Sequence, residues 1–239
     1  MRTKRPLLAV LVLVLSLSTV GTAYLVLSNE GNHIPASSST TVVNVSPKNT
    51  TVYGEIGTTF TVNITVTNAT DLYVWQAGIN FNATILEALS CEEGPFLKEK
   101  NATLWTPGTI DNTTGIIHYH ASALAGNISG VSGNGTLATI TFKTKDYGNT
   151  TLQLTDVILL NSNLTDLDKT LIHGTVKVKI SGDVNSDGKV NVYDLLDFGK
   201  AYGSTPSMSN WNPECDFNGD DKVDNLDLSD LSENYGKTT

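Results

Sequence analysis

The sequence is poor in charge, in cysteine and in tryptophan. Only 16% of its 239 residues are charged, and the formal net charge is −9. That leaves no basic face for nucleic acid. The two cysteines, Cys91 and Cys215, fall in different segments. They make neither a metal-ligand pair nor a disulfide framework, although one bridge between the segments is open to them in an oxidising compartment. Trp75, Trp105 and Trp211 are too few and too scattered to mark a sugar platform. Catalytic constellations are missing as well. No Ser-His-Asp arrangement, phosphate loop or distinctive glycosidase carboxylate pair stands out, so no enzyme is expected. His118 and His120 alternate onto one face of an expected strand, where two imidazoles could hold a metal or simply be polar strand positions.

What charge there is lies at one end. From Ser181 onward there are twelve Asp/Glu against four Lys/Arg, a net of −8, so the first 180 residues are near neutral. An acidic block this short either repels itself into disorder or is organised around cations. At the other end, Arg2, Lys4 and Arg5 precede an uncharged run from Pro6 to Ser28, which reads as an export signal. Gly21-Thr22-Ala23 offers small residues for signal peptidase. The apolar character resumes at Tyr24, however, and the run reaches the roughly 20 residues that span a bilayer. Residues 1–28 are therefore a cleaved signal peptide or an N-terminal membrane anchor, and the remainder is expected outside the cell or on its surface. Eleven Asn-x-Ser/Thr sequons agree with export: Asn44, Asn49, Asn63, Asn68, Asn82, Asn101, Asn112, Asn127, Asn134, Asn149 and Asn163. None lies in the acidic block.

Residues 29–41, with the Ser37-Ser38-Ser39 tract, read as a flexible tether. Residues 42–180 alternate like half-buried strands. Phe60, Val62, Ile64 and Val66 share one face, with Thr61, Asn63, Thr65 and Thr67 opposite. Trp75, Ala77, Ile79 and Phe81 repeat the pattern, as do Ala138, Ile140 and Phe142. In Val176, Val178 and Ile180 the apolar face recurs, with Lys177 and Lys179 facing out. Many short strands broken by Gly/Asn/Asp turns predict a mainly β chain, a β-sandwich.

Residues 181–239 carry the sharpest chemistry. Asp183-Val184-Asn185-Ser186-Asp187-Gly188-Lys189-Val190-Asn191-Val192-Tyr193-Asp194 is a twelve-residue loop of EF-hand type, and Asp216 to Asp227 repeats it 33 residues later. A hard cation such as Ca2+, with six to eight oxygen ligands, explains the spacing. Candidate ligands are Asp183, Asn185 and Asp187 through side chains, Lys189 through its carbonyl, Asn191 through water, and Asp194 closing the cage. Asp216, Asn218, Asp220, Lys222, Asp224 and Asp227 are their counterparts, for two ions in all. Position 6 requires a sharp, left-handed turn. It is Gly188 in the first loop and Asp221 in the second, which Asp tolerates at some cost. Past each loop, Leu195, Phe198 and Tyr202 match Leu228, Leu231 and Tyr235, each trio expected on one helix face, with Gly203 and Gly236 as stops.

Two resemblances follow. The stretch Gly57 to Ile64, then Asp71-Leu72, Ile79-Asn80-Phe81 and Ile85-Leu86-Glu87, is similar to the opening strands of cohesin domains. Gly135 to Phe142, Gly148, Leu152, Leu154 and Gly174 to Val178 resemble their later strands. The loop-plus-helix unit, used twice with Asp at position 12 and no entering helix, resembles a dockerin. The first resemblance implies a jelly-roll sandwich that takes a dockerin on a sheet face, although related sandwiches bind polysaccharide. The second implies a calcium-dependent helix face that takes a cohesin. Its position-matched contacts are Val192, Tyr193, Gly199 and Lys200 in the first unit, and Asn225, Leu226, Ser232 and Glu233 in the second. Together they imply a non-enzymatic, exported adaptor or small scaffold linked to polysaccharide binding or breakdown. The alternative is a carbohydrate-binding module attached to a complex through its dockerin. The two halves are expected to act separately, with calcium needed only by the second.

Overall fold

The computed structural model describes residues 40–239. The segment read as signal peptide or anchor, and all of the tether before Thr40, lie outside the described residues. Among the described residues no helix is long and apolar enough to cross a membrane.

Eleven strands come first: β1 (Thr41–Ser46), β2 (Asn49–Tyr53), β3 (Thr59–Asn80), β4 (Leu86–Glu93), β5 (Thr103–Thr106), β6 (Thr109–Asp111), β7 (Ile116–Leu124), β8 (Val131–Thr144), β9 (Gly148–Asn161), β10 (Lys169–Ile172) and β11 (Gly174–Lys179). A single helical turn, α1 (Pro95–Lys98), interrupts them. Helices α2 (Val192–Ala201) and α3 (Asn225–Asn234) follow. The arrangement is a β-sandwich with a small helical tail, as the strand alternation and the two loop-plus-helix units predict.

The 22-residue β3 organises the sandwich. Its first half pairs with β1 on one side and β8 on the other, and β8 pairs onward with β4. Its second half pairs with β7 and β9, and β9 leads on to β11 and β2. The register slips twice between Val66 and Leu72, where Asn68 and Asp71 take left-handed φ values of 56° and 55°. The Asp71 carboxylate secures this corner, accepting hydrogen bonds from Gly130 N, Ser162 N and Ser162 Oγ.

Alternation holds where the sequence pattern predicts it in the first half of β3. Val62, Ile64 and Val66 are buried, while Thr61, Asn63, Thr65 and Thr67 are not. In the second half it fails. Every residue from Leu72 to Ile79 is buried, so this stretch is covered on both faces rather than half-buried. The packing is tight enough that a Cβ at Gly78 would lie 2.7 Å from Thr155 Oγ1.

The histidine pair also departs from expectation. Gly78 of β3 faces a two-residue bulge in β7, and Tyr119 has φ 44°. A bulge breaks the two-residue period. His120 is fully buried beside Trp75 and Trp105, at ring distances of 5.6 and 6.5 Å, whereas His118 is partly exposed. Neither ring nitrogen of His120 has a hydrogen-bond partner. Burial alone lowers its pKa from 6.5 to about 4.

Candidate metal sites and partner surface

The tail has its own small core of Ile180, Val184, Val190, Phe198, Ala201, Cys215, Phe217, Val223 and Leu231. Val190 and Val223, each at position 8 of its loop, are fully buried. The sequence reading overlooked this pair, although the same 33-residue offset marks it. Each also ties its loop to the exit of the other helix. Gly236 N donates to Val190 O, and Val190 N to Lys237 O. Likewise Gly203 N donates to Val223 O, and Val223 N to Ser204 O. Gly203 and Gly236 end the helices as expected, at φ 79° and 87°.

The helix trios behave differently from their expected shared face. Phe198 and Leu231 are buried, but Leu195, Tyr202 and Tyr235 are exposed and Leu228 only half-buried. With ten residues per helix, only Phe198 of the first trio and Leu231 of the second are buried in the small core, and Leu228 packs against its edge.

Both loops fold alike. Asp183 Oδ1 accepts from Asp187 N and Oδ2 from Gly188 N. Asp216 accepts from Gly219, Asp220 and Asp221 N. Asn185 and Asn218 Oδ1 accept from Asp187 N and Asp220 N. Asp187 and Asp220 Oδ1 accept from Lys189 N and Lys222 N. Asp194 receives Val184, Asn185 and Asn191 N, and Asp227 receives Phe217, Asn218 and Asp224 N. Asn191 and Asp224 cap α2 and α3 by accepting from Tyr193 N and Leu226 N. With Asp194 and Asp227 they form capping boxes. Positions 9 and 12 thus build the helix starts as well as facing the loop. Position 6 is left-handed in both loops, Gly188 at 81° and Asp221 at 63°. So is position 4, Ser186 at 62° and Gly219 at 74°, which the sequence reading did not anticipate.

The donor chemistry fits a hard cation. Asp183, Asp194, Asp216 and Asp227 are buried, and among the described residues none is paired with a cationic side chain. Buried carboxylates need compensation, which amide donors supply only in part. Among the described residues no group of three His, Cys, Asp or Glu side chains gathers closely enough to hold a metal ion by itself. The oxygen set in each loop includes an asparagine and a backbone carbonyl besides its carboxylates.

All eight partner-contact candidates are exposed: Val192, Tyr193, Gly199, Lys200, Asn225, Leu226, Ser232 and Glu233. Among the described residues, eight of the twelve large exposed apolar side chains lie from Val192 to Tyr235, which concentrates apolar surface on the tail. The two thiols are free and buried apart, Cys91 in the sandwich core and Cys215 in the tail core. Burial pushes each up to about 12.

Sandwich and tail together describe a cohesin-type interaction protein with a loop-and-helix module behind it. The cohesin domain model matches residues 43–192, and the chain belongs to that family. The type I dockerin domain model matches residues 181–234. Cohesins and dockerins are non-catalytic interaction modules that bind one another, and type I dockerins bind calcium. Similar solved structures include a non-cellulosomal cohesin from the hyperthermophilic archaeon Archaeoglobus fulgidus. It is 15% identical, with TM-score 0.45 over 59% of this chain and 91% of that one. A type II cohesin from the cellulosome of Acetivibrio cellulolyticus is 15% identical, with TM-score 0.48 over 58% and 95%. A chain of a type I cohesin–dockerin complex from Clostridium thermocellum is 13% identical, with TM-score 0.47 over 59% and 99%. No curated protein matches the chain.

Proposed function

We propose that this protein is an exported, calcium-dependent adaptor. Residues 181–239 form a dockerin that holds two calcium ions and presents Val192, Tyr193, Leu226 and their neighbours to a cohesin on another chain. Residues 42–180 form a cohesin that receives another chain's dockerin. The observation that carries the reading is the pairing, within one short module, of two loops with buried, cation-free carboxylates and an exposed apolar helix surface. Asp183, Asn185, Asp187, Asp194 and the Lys189 carbonyl would hold one ion. Asp216, Asn218, Asp220, Asp227 and the Lys222 carbonyl would hold the other. The ions supply the positive charge that lets each loop close, and the chain's own capping boxes start the helices from the closed loops. Export places the sequon-bearing sandwich where glycans are added, and most sequon asparagines are exposed.

The test is capture of the full chain on panels of immobilised cohesins, dockerins and plant or cell-surface polysaccharides, in calcium and in chelator. Cohesin capture should fall at least tenfold in chelator, and calorimetry should count two ions. Retention by polysaccharide, without capture by any dockerin, would transfer the sandwich to carbohydrate binding. Cohesin capture that survives chelation, or fewer than one ion bound at millimolar calcium, would overturn the dockerin reading.

A further inference from the structure

The sequence places Lys177 and Lys179 on the outer face of β11, and both point that way. Yet Lys179 is only 4% exposed, because the tail covers it. Its Nζ lies 2.6 Å from Glu214 Oε2, and Lys177 Nζ lies 3.9 Å from the same oxygen. Tyr53, on neighbouring β2, donates to Glu214 Oε2 and packs edge-on against Phe217 at 5.5 Å. Lys177 Nζ also donates to Ser186 Oγ of the first loop. Ile180, immediately after β11, belongs to the tail core, and Tyr53 and Tyr147 of the sandwich pack against that core. A cavity of about 290 Å³ between the halves is lined by Tyr147, Lys177, Asp183, Asp187 and Thr239. These contacts use the loop side of the tail and leave its exposed helix surface, Val192, Tyr193, Leu196 and Leu226, free.

We propose that the outer face of β2 and β11 is a docking surface for the chain's own C-terminal module. The sandwich and the module then form one rigid, calcium-linked unit that presents the helices in a fixed orientation. The sandwich supplies two lysines and Tyr53 on a face otherwise lined with Thr and Asn, and the module supplies the acidic complement. An ammonium as buried as that of Lys179 is tolerated only with its partner in place. The calcium link rests on the proposed loop sites, since Ser186 and Phe217 touch the sandwich from within the two loops.

The experiment uses the full chain and the variants Lys179→Met, Glu214→Gln, the double variant, and the swap Lys179→Glu with Glu214→Lys. Hydrogen exchange is read strand by strand, in calcium and in chelator. Glu214→Gln should lower the melting temperature by more than Lys179→Met, because it strands a buried ammonium, with losses on the order of 5 °C. The double variant should lose less than the sum, and the swap should recover part of it. In the wild type, chelation should speed amide exchange in β2 and β11 at least tenfold, and the double variant should lose that dependence. Calcium binding seen by calorimetry with β2 and β11 indifferent to chelation would overturn the link while leaving the calcium sites standing. Absence of bound calcium would refute the sites instead. Additive losses for Lys179 and Glu214 would overturn the docking itself.

Discussion

His120 shows how far one residue escapes its sequence neighbourhood. Nothing in Ile116-Ile117-His118-Tyr119-His120 separates the second histidine from the first. The separation comes from a bulge opposite Gly78 and from two tryptophans distant in sequence. Burial without a partner keeps the ring neutral, with a pKa of about 4 against 6.5. The unfolded chain therefore takes up a proton below pH 6.5 that the folded chain refuses until about pH 4. The stability contribution is complete above pH 6.5 and is lost as the pH falls, reaching ~3 kcal/mol at pH 4 and below. His120→Phe, and independently His120→Leu, should flatten the fall in unfolding free energy between pH 6.5 and 4 relative to wild type. Urea melts across that range, at saturating calcium, measure it. Carboxylates such as Asp71 and Asp111, held low by hydrogen bonds from Ser162 and Thr114 respectively, titrate equally in both proteins and cancel. Equal slopes would mean that His120 finds a partner in solution.

At the scale of elements, the loops were legible and β3 was only half so. Twelve-residue spacing, a 33-residue repeat and helix-stop glycines are local signals, and cation chemistry demands the first of them. By contrast, Trp75, Ala77, Ile79 and Phe81 read as one face of a half-buried strand, and the sequence alone does not reveal that the opposite face is also covered. Nor does it reveal that β3 serves both layers. The left-handed positions lie between these cases. Each loop has two of them and spends one glycine, at position 6 in the first and position 4 in the second. Substitutions should therefore separate by sign. Asp221→Gly removes a Cβ from φ 63° and keeps the N–H that Asp216 accepts. It should raise the stability of the calcium-loaded chain by up to about 1 kcal/mol. Gly219→Ala meets nothing within 4 Å, so its loss of about 1 kcal/mol measures backbone strain alone. Gly188→Ala should lose about as much, because the only close atom its Cβ would meet, Thr239 Oγ1 at 2.6 Å, belongs to an exposed side chain that can turn aside. Thermal melts with calcium rank the three. A clear loss of calcium binding in Asp221→Gly would show that the Asp221 carboxylate itself serves the site.

Over the whole molecule, charge is divided as sharply as structure, with a net of −8 after Ser181 and near neutrality before it. The sandwich has an extensive apolar core, whereas the tail core has nine buried residues, one of them at the junction with β11. A core that small cannot hold twelve acidic side chains together unaided. Two agents can lower their repulsion: calcium, which binds at points, and salt, which screens everywhere. Raising ionic strength from 0.1 to 1 M shortens the Debye length from about 10 Å to about 3 Å. In chelator, sodium chloride at 1 M should therefore restore part of the far-UV helical signal that α2 and α3 contribute. In calcium the same salt should change that signal little, because the carboxylates are already compensated. The Lys179–Glu214 contact should also resist salt, since the lysine is buried and surface screening does not reach it. Circular dichroism on the full chain, with and without chelator across a salt series, measures the first two expectations, and exchange in β11 the third. A chelated tail that stays unfolded at every salt concentration would show that it needs the ions as ligands rather than as charge, and the capping boxes would then form only after the loops close around metal.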